Sequence, residues 1–224
     1  MNTEIMEELN QDIFNLLDEQ PTPARGSLLV AKPTVQDYMF GRTVIMVVDH
    51  DSENGTMGLI VNKLSGLLLH DVLPDAASLG IDIPLYVGVP VHTDMLFILH
   101  TLGEQLIPDS LQVARGLYFG GDYDAMKAYI ADGGSVEGRV KFILGYSGWE
   151  GGQLENEIER HDWAVLKRME TGQVMLAEED ALWREAVAQF GDKYRLYVGS
   201  SNVSPSSYDS RNGGLSLRCI LGSS

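Results

Sequence analysis

Apolar side chains occur mainly in short runs separated by glycine, proline and polar turns, a pattern typical of a chain rich in β-strands. These runs predict strands at 27–31, 42–49, 57–62, 85–87, 95–100, 111–119 and 140–144. The pair Asn54-Gly55 lies between two of them and favours positive φ angles, so residues 42–62 are predicted to form a hairpin.

Helical spacing and capping residues predict helices at 67–73, 122–131, 154–160 and 178–190, with Asp122 as the N-cap of the second. Short extended pieces are predicted at 163–168, 173–177 and 194–198. Strands and helices alternate irregularly, and several neighbours are connected as hairpins. The pattern therefore indicates the α+β class: a mixed sheet with helices around it, and no doubly wound parallel sheet.

The two ends of the chain differ from its middle. Residues 1–20 carry six acidic and no basic side chains, with apolar residues near helical spacing, which predicts an acidic amphipathic helix ended by Pro21 and Pro23. That helix could pack on the domain, join two copies in a homo-oligomer or bind a partner. Residues 200–224 are rich in Ser, Asn and Gly and predict a flexible tail, of which 211–224 are either native or an expression tag. The remaining part, 25–199, is predicted to be a single domain.

Charge and composition exclude several functions. The chain has 32 acidic and 16 basic residues, a net charge of −16, and no cluster of Lys and Arg, which argues against direct binding of nucleic acid. Cys219 is the only cysteine, so no disulfide can form within the chain. The first residues lack the basic start and apolar core of a secretory signal. No apolar run approaches the ~20 residues that span a bilayer. These features predict a soluble, cytoplasmic protein that is not bound to a membrane.

The central stretch 145–163 combines a preceding apolar run, four glycines in a turn and a short acidic amphipathic segment. A strand, a glycine-rich turn and a helix together place backbone N–H groups at a sheet edge, where ligands often bind. Tyr146, Trp149 and Gln153 lie next to the turn and are predicted to line a small apolar pocket with polar groups.

A catalytic interpretation of this stretch depends on Ser147. The sequence Gly145-Tyr146-Ser147-Gly148 resembles the nucleophile elbow G-x-S-x-G, but Trp149 occupies the last glycine position, where an indole would obstruct the close approach of helix and strand. His161 is the only histidine downstream, fourteen residues on, too near for the usual order of such enzymes. The sequence therefore assigns no catalytic residue.

Metal and phosphate binding have weak signals. The five histidines include no i, i+4 pair and no HExxH motif, and the pair His92 and Asp94 is too short a pattern to indicate a metal. The glycine-rich turn lacks both G-x-G-x-x-G and a Walker lysine. The sequence therefore predicts no metal and no cofactor.

Several motifs together resemble one family. They are GSLLVAKP at 26–33, FGRTVI at 40–45, GTMGLIVNK at 55–63, LH at 99–100 and LGYSGWEGGQLENEI at 144–158. In order and spacing the chain is similar, over about residues 25–190, to the YqgE/AlgH family of bacterial proteins.

The resemblance implies a single domain with a bifurcated mixed sheet curled into a pseudo-barrel, and it supplies no catalytic residue. The molecular function of the family is unsettled, and its usual label is transcriptional regulator. Two positions depart from the family pattern. Val89 replaces the second glycine of Gly-Gly-Pro-Val, which puts a close backbone approach there in doubt, and Ser147 replaces an alanine.

Together these observations predict a non-enzymatic cytoplasmic protein that binds a small molecule or a protein partner and acts on transcription indirectly. The predicted ligand-binding residues are Asn62, His100, Tyr146, Trp149 and Gln153. The alternative is an enzyme of unknown reaction, hydrolase-like, with its pocket beside the turn from Gly145 to Gln153.

Overall fold

The computed structural model describes residues 20–32, 41–88, 95–176 and 179–191. The predicted N-terminal helix, the strand at 194–198 and the tail beyond residue 200 lie outside this part of the chain. The described strands are β1 Leu28–Ala31, β2 Val44–Asp51, β3 Gly55–Ile60, β4 Leu64–Leu68, β5 Pro84–Val87, β6 Leu96–His100, β7 Ser110–Ala114, β8 Leu117–Gly120, β9 Val140–Leu144, β10 Ser147–Trp149 and β11 Trp163–Leu166. The helices are α1 Leu69–Val72, a 3₁₀ helix Pro74–Leu79, α2 Tyr123–Ala131, α3 Gln153–Glu159, α4 Thr171–Leu176 and α5 Glu179–Ala188.

The strands form two sheets. Sheet A has the order β10-β3-β2-β1-β11 and sheet B the order β4-β5-β9-β6-β8-β7. All strand pairs in the described residues are antiparallel except β5 and β9. The predicted α+β class is therefore confirmed. The described strands remain two open sheets and do not close into a barrel.

Both faces of sheet A are covered, which explains why its strands are apolar along their whole length. In β1, Leu28 and Val30 face the core between the sheets, whereas Leu29 and Ala31 face the opposite side. Side chains of α4 and α5 belong to the core between the sheets. Leu154 and Ile158 of α3 cover the outer face of sheet A. The outer face of sheet B packs against α1, the 3₁₀ helix and α2.

The chain passes between the sheets at two neighbouring places. After β3 it crosses from sheet A to sheet B through residues 61–63, and after β9 it returns through residues 145–146. The Val87 N–H donates to the Lys63 carbonyl at 2.9 Å, and the Gly88 N–H donates to the Leu144 carbonyl at 2.7 Å. Residues 61–63, 88 and 145–146 therefore lie together, and we call them the sheet junction.

Gly88 is required by the packing of this junction. A Cβ atom on Gly88 would lie 2.3 Å from the Gly145 carbonyl oxygen and 3.0 Å from the Tyr146 nitrogen. These separations are too short for non-bonded atoms. The close backbone approach that the departure at Val89 put in doubt is thus made by Gly88 itself, while Val89 lies outside the described residues.

Three predicted elements differ from the structure. The single strand expected at 111–119 is the hairpin of β7 and β8, turned at Gly116, whose φ of +71° suits glycine. Residues 173–177 were expected to be extended but fall largely in α4, because Val174 and Met175 pack into the core between the sheets. The helix expected at 67–73 is shorter, because its first residues pair with β5 as part of β4. Among the described residues, no helix has the length and apolar character needed to cross a membrane.

Candidate functional site

The central stretch is built around a buried carboxylate. Glu157 of α3 accepts hydrogen bonds at Oε2 from the indole N–H groups of Trp149 (2.8 Å) and Trp163 (2.9 Å), and at Oε1 from the Gln153 amide (3.0 Å). The two indole rings meet edge to face, with centroids 6.2 Å apart. We call these four residues the indole–carboxylate cluster. It joins β10, α3 and β11 on the outer face of sheet A.

The glycine-rich turn predicted after β9 is interrupted by β10, and the same cluster fixes its second part, residues 150–152. The side-chain oxygen of Gln153 accepts from the Glu150 N–H at 3.0 Å. Gly151 packs against the hairpin of β2 and β3, since a Cβ there would lie 2.1 Å from the Glu53 carbonyl oxygen. Of the predicted ligand residues, Trp149 and Gln153 are therefore brought together, with their polar groups bonded within the protein. Glu157 was missed, although it lies four residues after Gln153 on the same face of the helix.

Asn62 lies at the sheet junction with its side chain fully enclosed. Its Oδ1 accepts from the Val44 N–H, and its Nδ2 donates to the carbonyls of Arg42 and Glu179, each at 2.8 Å. The residue has 0% of its surface exposed. Asn62 therefore ties the start of β2 and the start of α5 to the junction.

His100 lies on sheet B at the end of β6. Its Nδ1 accepts from the Leu102 N–H at 3.3 Å, so the neutral ring carries its proton on Nε2, which has no hydrogen-bond partner in the described residues. The ring stacks on Tyr118 with centroids 5.7 Å apart. Burial lowers the pKa of His100 to about 4, against a smaller upward effect of the Gly120 backbone, so the imidazole is uncharged at neutral pH.

The five predicted ligand residues do not share one pocket. Trp149 pairs with Thr56, six residues before Asn62, which is about 20 Å along an extended chain. His100 pairs with Val140, at the opposite end of β9 from the junction. Only Asn62 and Tyr146 belong to the junction. Ligand binding by these residues stays a prediction, and the pair at positions 92 and 94 lies outside the described residues.

Ser147 does not lie on an exposed nucleophile elbow. It lies in β10 opposite Gly58, with 3% of its surface exposed, and its hydroxyl has no partner in the described residues. Its neighbour Trp149 fills the space above Gly58, where a Cβ would lie 3.3 Å from the indole ring. A substrate therefore has no direct path to this hydroxyl.

A buried lysine that sequence reasoning overlooked reaches the junction from sheet B. Lys141 in β9 has 2% of its surface exposed, and its Nζ donates to the carbonyls of Val61 at 2.7 Å and Val174 at 2.8 Å. The ammonium lies 4.4 Å from the centroid of the Tyr86 ring. No carboxylate lies within 4 Å of it in the part of the chain that the structure describes. The sequence does contain a signal for it, because Lys141 interrupts the otherwise apolar strand VKFIL.

The electrostatics of this lysine follow from its burial. Burial lowers the pKa of Lys141 to about 7, because the charged amine has lost its hydration without gaining a counter-ion. The nearby phenol of Tyr86 has its pKa raised by burial and, to a smaller extent, by the charge of Glu179. A titratable amine of this kind is a common property of functional sites.

The Tyr86 ring lies against the amine of Lys141, and three further partly exposed aromatic rings pack against the same core between the sheets. Phe97 stacks on Phe119 and meets Tyr146 edge to face, each with centroids 5.8 Å apart. Tyr86 and Phe97 both pair with Ile143, one on either side of β9. We call Tyr86, Phe97, Phe119, Tyr146 and Lys141 the aromatic junction cluster. It combines apolar rings with one amine and two phenols.

A second polar group lies beneath α3 on the outer face of sheet A. Nδ1 of His50 is 2.7 Å from the Thr56 hydroxyl, and its Nε2 is 3.6 Å from a carboxylate oxygen of Glu155. The side chain of His50 is only 11% exposed. A hydroxyl, an imidazole and a carboxylate in this order can move a proton from the hydroxyl to the ring. Among the described residues, no group of three or more His, Cys, Asp or Glu is arranged to hold a metal.

Comparison with known proteins agrees with the fold. Residues 28–195 match the model of a family described as AlgH-like, DUF179. The chain is 43% identical over 191 residues to a UPF0301 protein of Bacteroides fragilis, covering 84% of this chain and 94% of that one. It is 38% identical over 188 residues to a UPF0301 protein of Parabacteroides distasonis, covering 84% and 93%.

Two solved structures are similar. The solution structure of the AlgH protein from Pseudomonas aeruginosa has a TM-score of 0.62 and 31% identity, covering 83% of this chain and 100% of that one. A crystal structure of a protein from Corynebacterium diphtheriae has a TM-score of 0.67 at 23% identity, covering 83% and 96%, and supports the fold alone. The family model, the relatives and the shared fold lead to one conclusion: the chain belongs to the AlgH-like family, the YqgE/AlgH family that its motifs resemble.

Proposed function

We propose that this protein is a non-enzymatic binding protein, which takes a small ligand at the aromatic junction cluster and acts on transcription indirectly, through a protein partner. The observation that carries the proposal is a set of partly exposed aromatic rings packed against the core between the sheets, one of which, Tyr86, lies against the buried amine of Lys141. Ligand sites are mainly apolar and aromatic, with a few polar groups that orient the ligand.

The position of the cluster supports this proposal. Tyr146 belongs to one crossover between the sheets, and Lys141 bonds to Val61 in the other. A ligand at this place would contact both sheets at once. Its occupancy would then affect how the sheets and α4 are held together, which is what a regulatory binding protein requires.

One observation favours an indirect role. The net charge of −16 opposes contact with nucleic-acid phosphates. The link to transcription comes from the usual label of the family and is the part of the proposal most dependent on a partner.

A thermal-shift screen of the full chain tests the ligand. The panel holds nucleotides, aromatic acids and common metabolites, with 8-anilinonaphthalene-1-sulfonate as an aromatic probe. A compound that binds the folded protein, and whose free concentration is 100 times its Kd, adds about 2.7 kcal/mol of stability and raises the melting temperature. Tyr146→Leu should abolish the ligand-induced shift, whereas Tyr129→Leu, on the far side of sheet B, should leave it intact. Equal shifts in both variants would place the ligand elsewhere, and no shift across the panel would overturn small-ligand binding.

Thr56, His50 and Glu155 follow one another in space, and this arrangement favours a second candidate function, a hydrolase-like enzyme beside the glycine-rich turn. In such an enzyme His50 accepts the proton of the Thr56 hydroxyl at Nδ1, while Glu155 orients the ring through Nε2. Esters are the simplest substrates for this chemistry. The spacing of 3.6 Å between His50 and the carboxylate would have to shorten when substrate binds.

Hydrolysis of p-nitrophenyl acetate distinguishes this candidate. Thr56→Val should remove the activity, and Thr56→Ser should retain it, since serine keeps the hydroxyl. Ser147→Ala is the matched control and should have no effect. Loss of activity in Ser147→Ala alone would assign the reaction to the turn, and activity unchanged in Thr56→Val would exclude Thr56 as the nucleophile.

A further inference from the structure

One side chain joins three parts of the fold at the sheet junction. The amine of Lys141, on sheet B, donates to Val61 in the crossover from sheet A and to Val174 in α4. Both carbonyls lie in buried residues, where an unpaired acceptor is costly. The amine therefore fixes α4 and the crossover to the middle of sheet B.

The bond to Val174 has a particular place in α4. The helix runs from Thr171 to Leu176, so the Val174 carbonyl is among its last four, which have no partner within the helix. A donor at that end completes the helix. The helix dipole favours a positive charge there, but this gain is smaller than the cost of burying an ammonium without a counter-ion. Removing the amine would leave the end of α4 without this partner.

The charged groups around the amine do not neutralise it. β5 contributes the phenol of Tyr86, and its ring face lies against the amine. The start of α5 contributes Glu179, which acts on Tyr86 and bonds to the Leu64 N–H, and Asp180, which is paired with Arg42. The crossover contributes Lys63. None of these charged groups is paired with Lys141, so burial without a counter-ion lowers its pKa.

We propose that Lys141 is an acid-responsive latch: while it is neutral it holds α4 and the crossover 61–63 closed on sheet B, and a proton on its amine favours their release. The proposal does not depend on a ligand. It also does not depend on the enzyme alternative, because His50 and Thr56 lie on the outer face of sheet A.

The direction of the response follows from proton linkage. The pKa of Lys141 is about 7 in the closed structure and ordinarily 10.5 in water, which the released amine reaches. The open form therefore binds more protons between these two values, so the opening equilibrium rises as the pH falls towards 7. It changes by up to about tenfold per pH unit in this range and becomes constant below pH 7, where both forms carry the proton.

Opening would affect the aromatic junction cluster. Tyr86 covers the amine, and Val61 directly precedes Asn62 at the junction. When the amine leaves its two carbonyls, the Tyr86 ring loses its contact with the amine. A fall in pH from about 9 to 7 therefore loosens the part of the fold where both sheets meet.

Hydrogen exchange with mass spectrometry on the full chain, from pH 6 to 9, tests the latch. After correction for the intrinsic rate, the wild type should show opening of 171–176 and 61–63 that increases as the pH falls from 9 to 7. Lys141→Gln keeps a neutral donor and should show low opening without pH dependence. Lys141→Arg stays charged and should show high opening at every pH. Lys127→Gln, on the surface of α2, should behave as the wild type does.

The latch would be wrong if opening in the wild type did not depend on pH, or if Lys141→Gln kept the wild-type slope. If the Arg variant does not fold, the ¹³Cε resonance of Lys141 in the unmodified protein provides the second measurement. A midpoint near 7 supports the latch. A midpoint near 10.5 would show that the closed structure tolerates the charge, and would overturn it.

Discussion

At the scale of single residues, two buried ionisable side chains have opposite surroundings. Glu157 receives three hydrogen bonds, two from indoles and one from an amide, which replace most of its lost hydration. Lys141 receives the π face of Tyr86 and two carbonyls but no opposite charge. The carboxylate cluster therefore stabilises one arrangement, whereas the lysine leaves its site sensitive to pH.

Replacing Glu157 should show how much the indole–carboxylate cluster contributes to the stability of the fold. Glu157→Leu removes the acceptor of two buried indole N–H groups and of the partly buried Gln153 amide, so we expect a loss of about 3 to 5 kcal/mol in the free energy of unfolding. Urea unfolding followed by tryptophan fluorescence measures it. The exposed Glu159 on the same helix provides the control, and Glu159→Leu should change stability by about 0.5 kcal/mol or less. A loss below about 1 kcal/mol for Glu157→Leu would show that the cluster is not a structural centre.

The pKa of Lys141 also predicts the pH dependence of global stability. Because the pKa is about 7 when folded and 10.5 when unfolded, the unfolded chain binds more protons between these values and stability rises with pH. At about 1.36 kcal/mol per pH unit, the wild type should gain about 3 kcal/mol relative to Lys141→Met between pH 7 and 9.5. Urea unfolding of both proteins across this range measures the difference. A difference that does not vary with pH would contradict the shifted pKa.

At the scale of elements, the backbone contacts of the sheet junction lie at the ends of strands and not in their middles. β5 and β9 are the only parallel pair in the described residues, and the chain leaves both strands at the sheet junction. Gly88 and Gly145 allow the two backbones to touch there. Asn62 then fixes the start of α5 at the same place. Backbone contact and one buried amide together hold the two sheets at this junction.

Two alanine substitutions should distinguish the effect of a steric clash at the junction on stability from the effect of replacing a glycine where there is space. Gly88→Ala places a methyl group against the Gly145 carbonyl and should cost about 2 to 4 kcal/mol. Gly172 lies in α4, where an added methyl group would meet no atom within 4 Å, so Gly172→Ala should instead add about 0.5 to 1 kcal/mol. Thermal unfolding of both variants makes the comparison. Equal effects would mean that the junction can relax around an extra methyl group.

At the scale of the whole molecule, charge limits the partners. With a net charge of −16, the purified full chain should show no binding to duplex DNA in a gel-shift titration at low salt, where electrostatic attraction is strongest. A basic protein of known DNA affinity serves as the positive control for the assay. Tight, salt-sensitive binding by this chain would exclude the proposal that it acts through a partner.

The sequence predicted the α+β class, the hairpin of β2 and β3, the helix capped by Asp122 and the family. Each of these depends on neighbours in the chain: periodicity, a turn pair, a cap or a motif. Asp122 does accept from the Ala125 N–H at 2.7 Å, as an N-cap should. The helix α4 could not be predicted in this way, because packing of Val174 and Met175 between the sheets decides its conformation.

The candidate site shows the same division. Trp149 and Gln153 are near each other in sequence and the structure brings them together, but only the fold shows that Glu157 takes up their polar groups. Asn62 and His100 were chosen because each ends or follows a strand, and the register places them in different parts of the two sheets. Strand ends in a sequence do not show which sheet, or which end of it, they belong to.

The sequence by itself determined the local elements, the acidic charge and the family, because these follow from residue types and short spacings. Tertiary structure alone decided that Lys141, Tyr86, Val61 and Val174 meet at the sheet junction, since their positions in the chain are far apart. It also decided the acid–base character of Lys141, because a lysine exposed on the same strand would keep its ordinary pKa. Burial of the amine between two sheets, without a counter-ion, lowers that pKa to about 7.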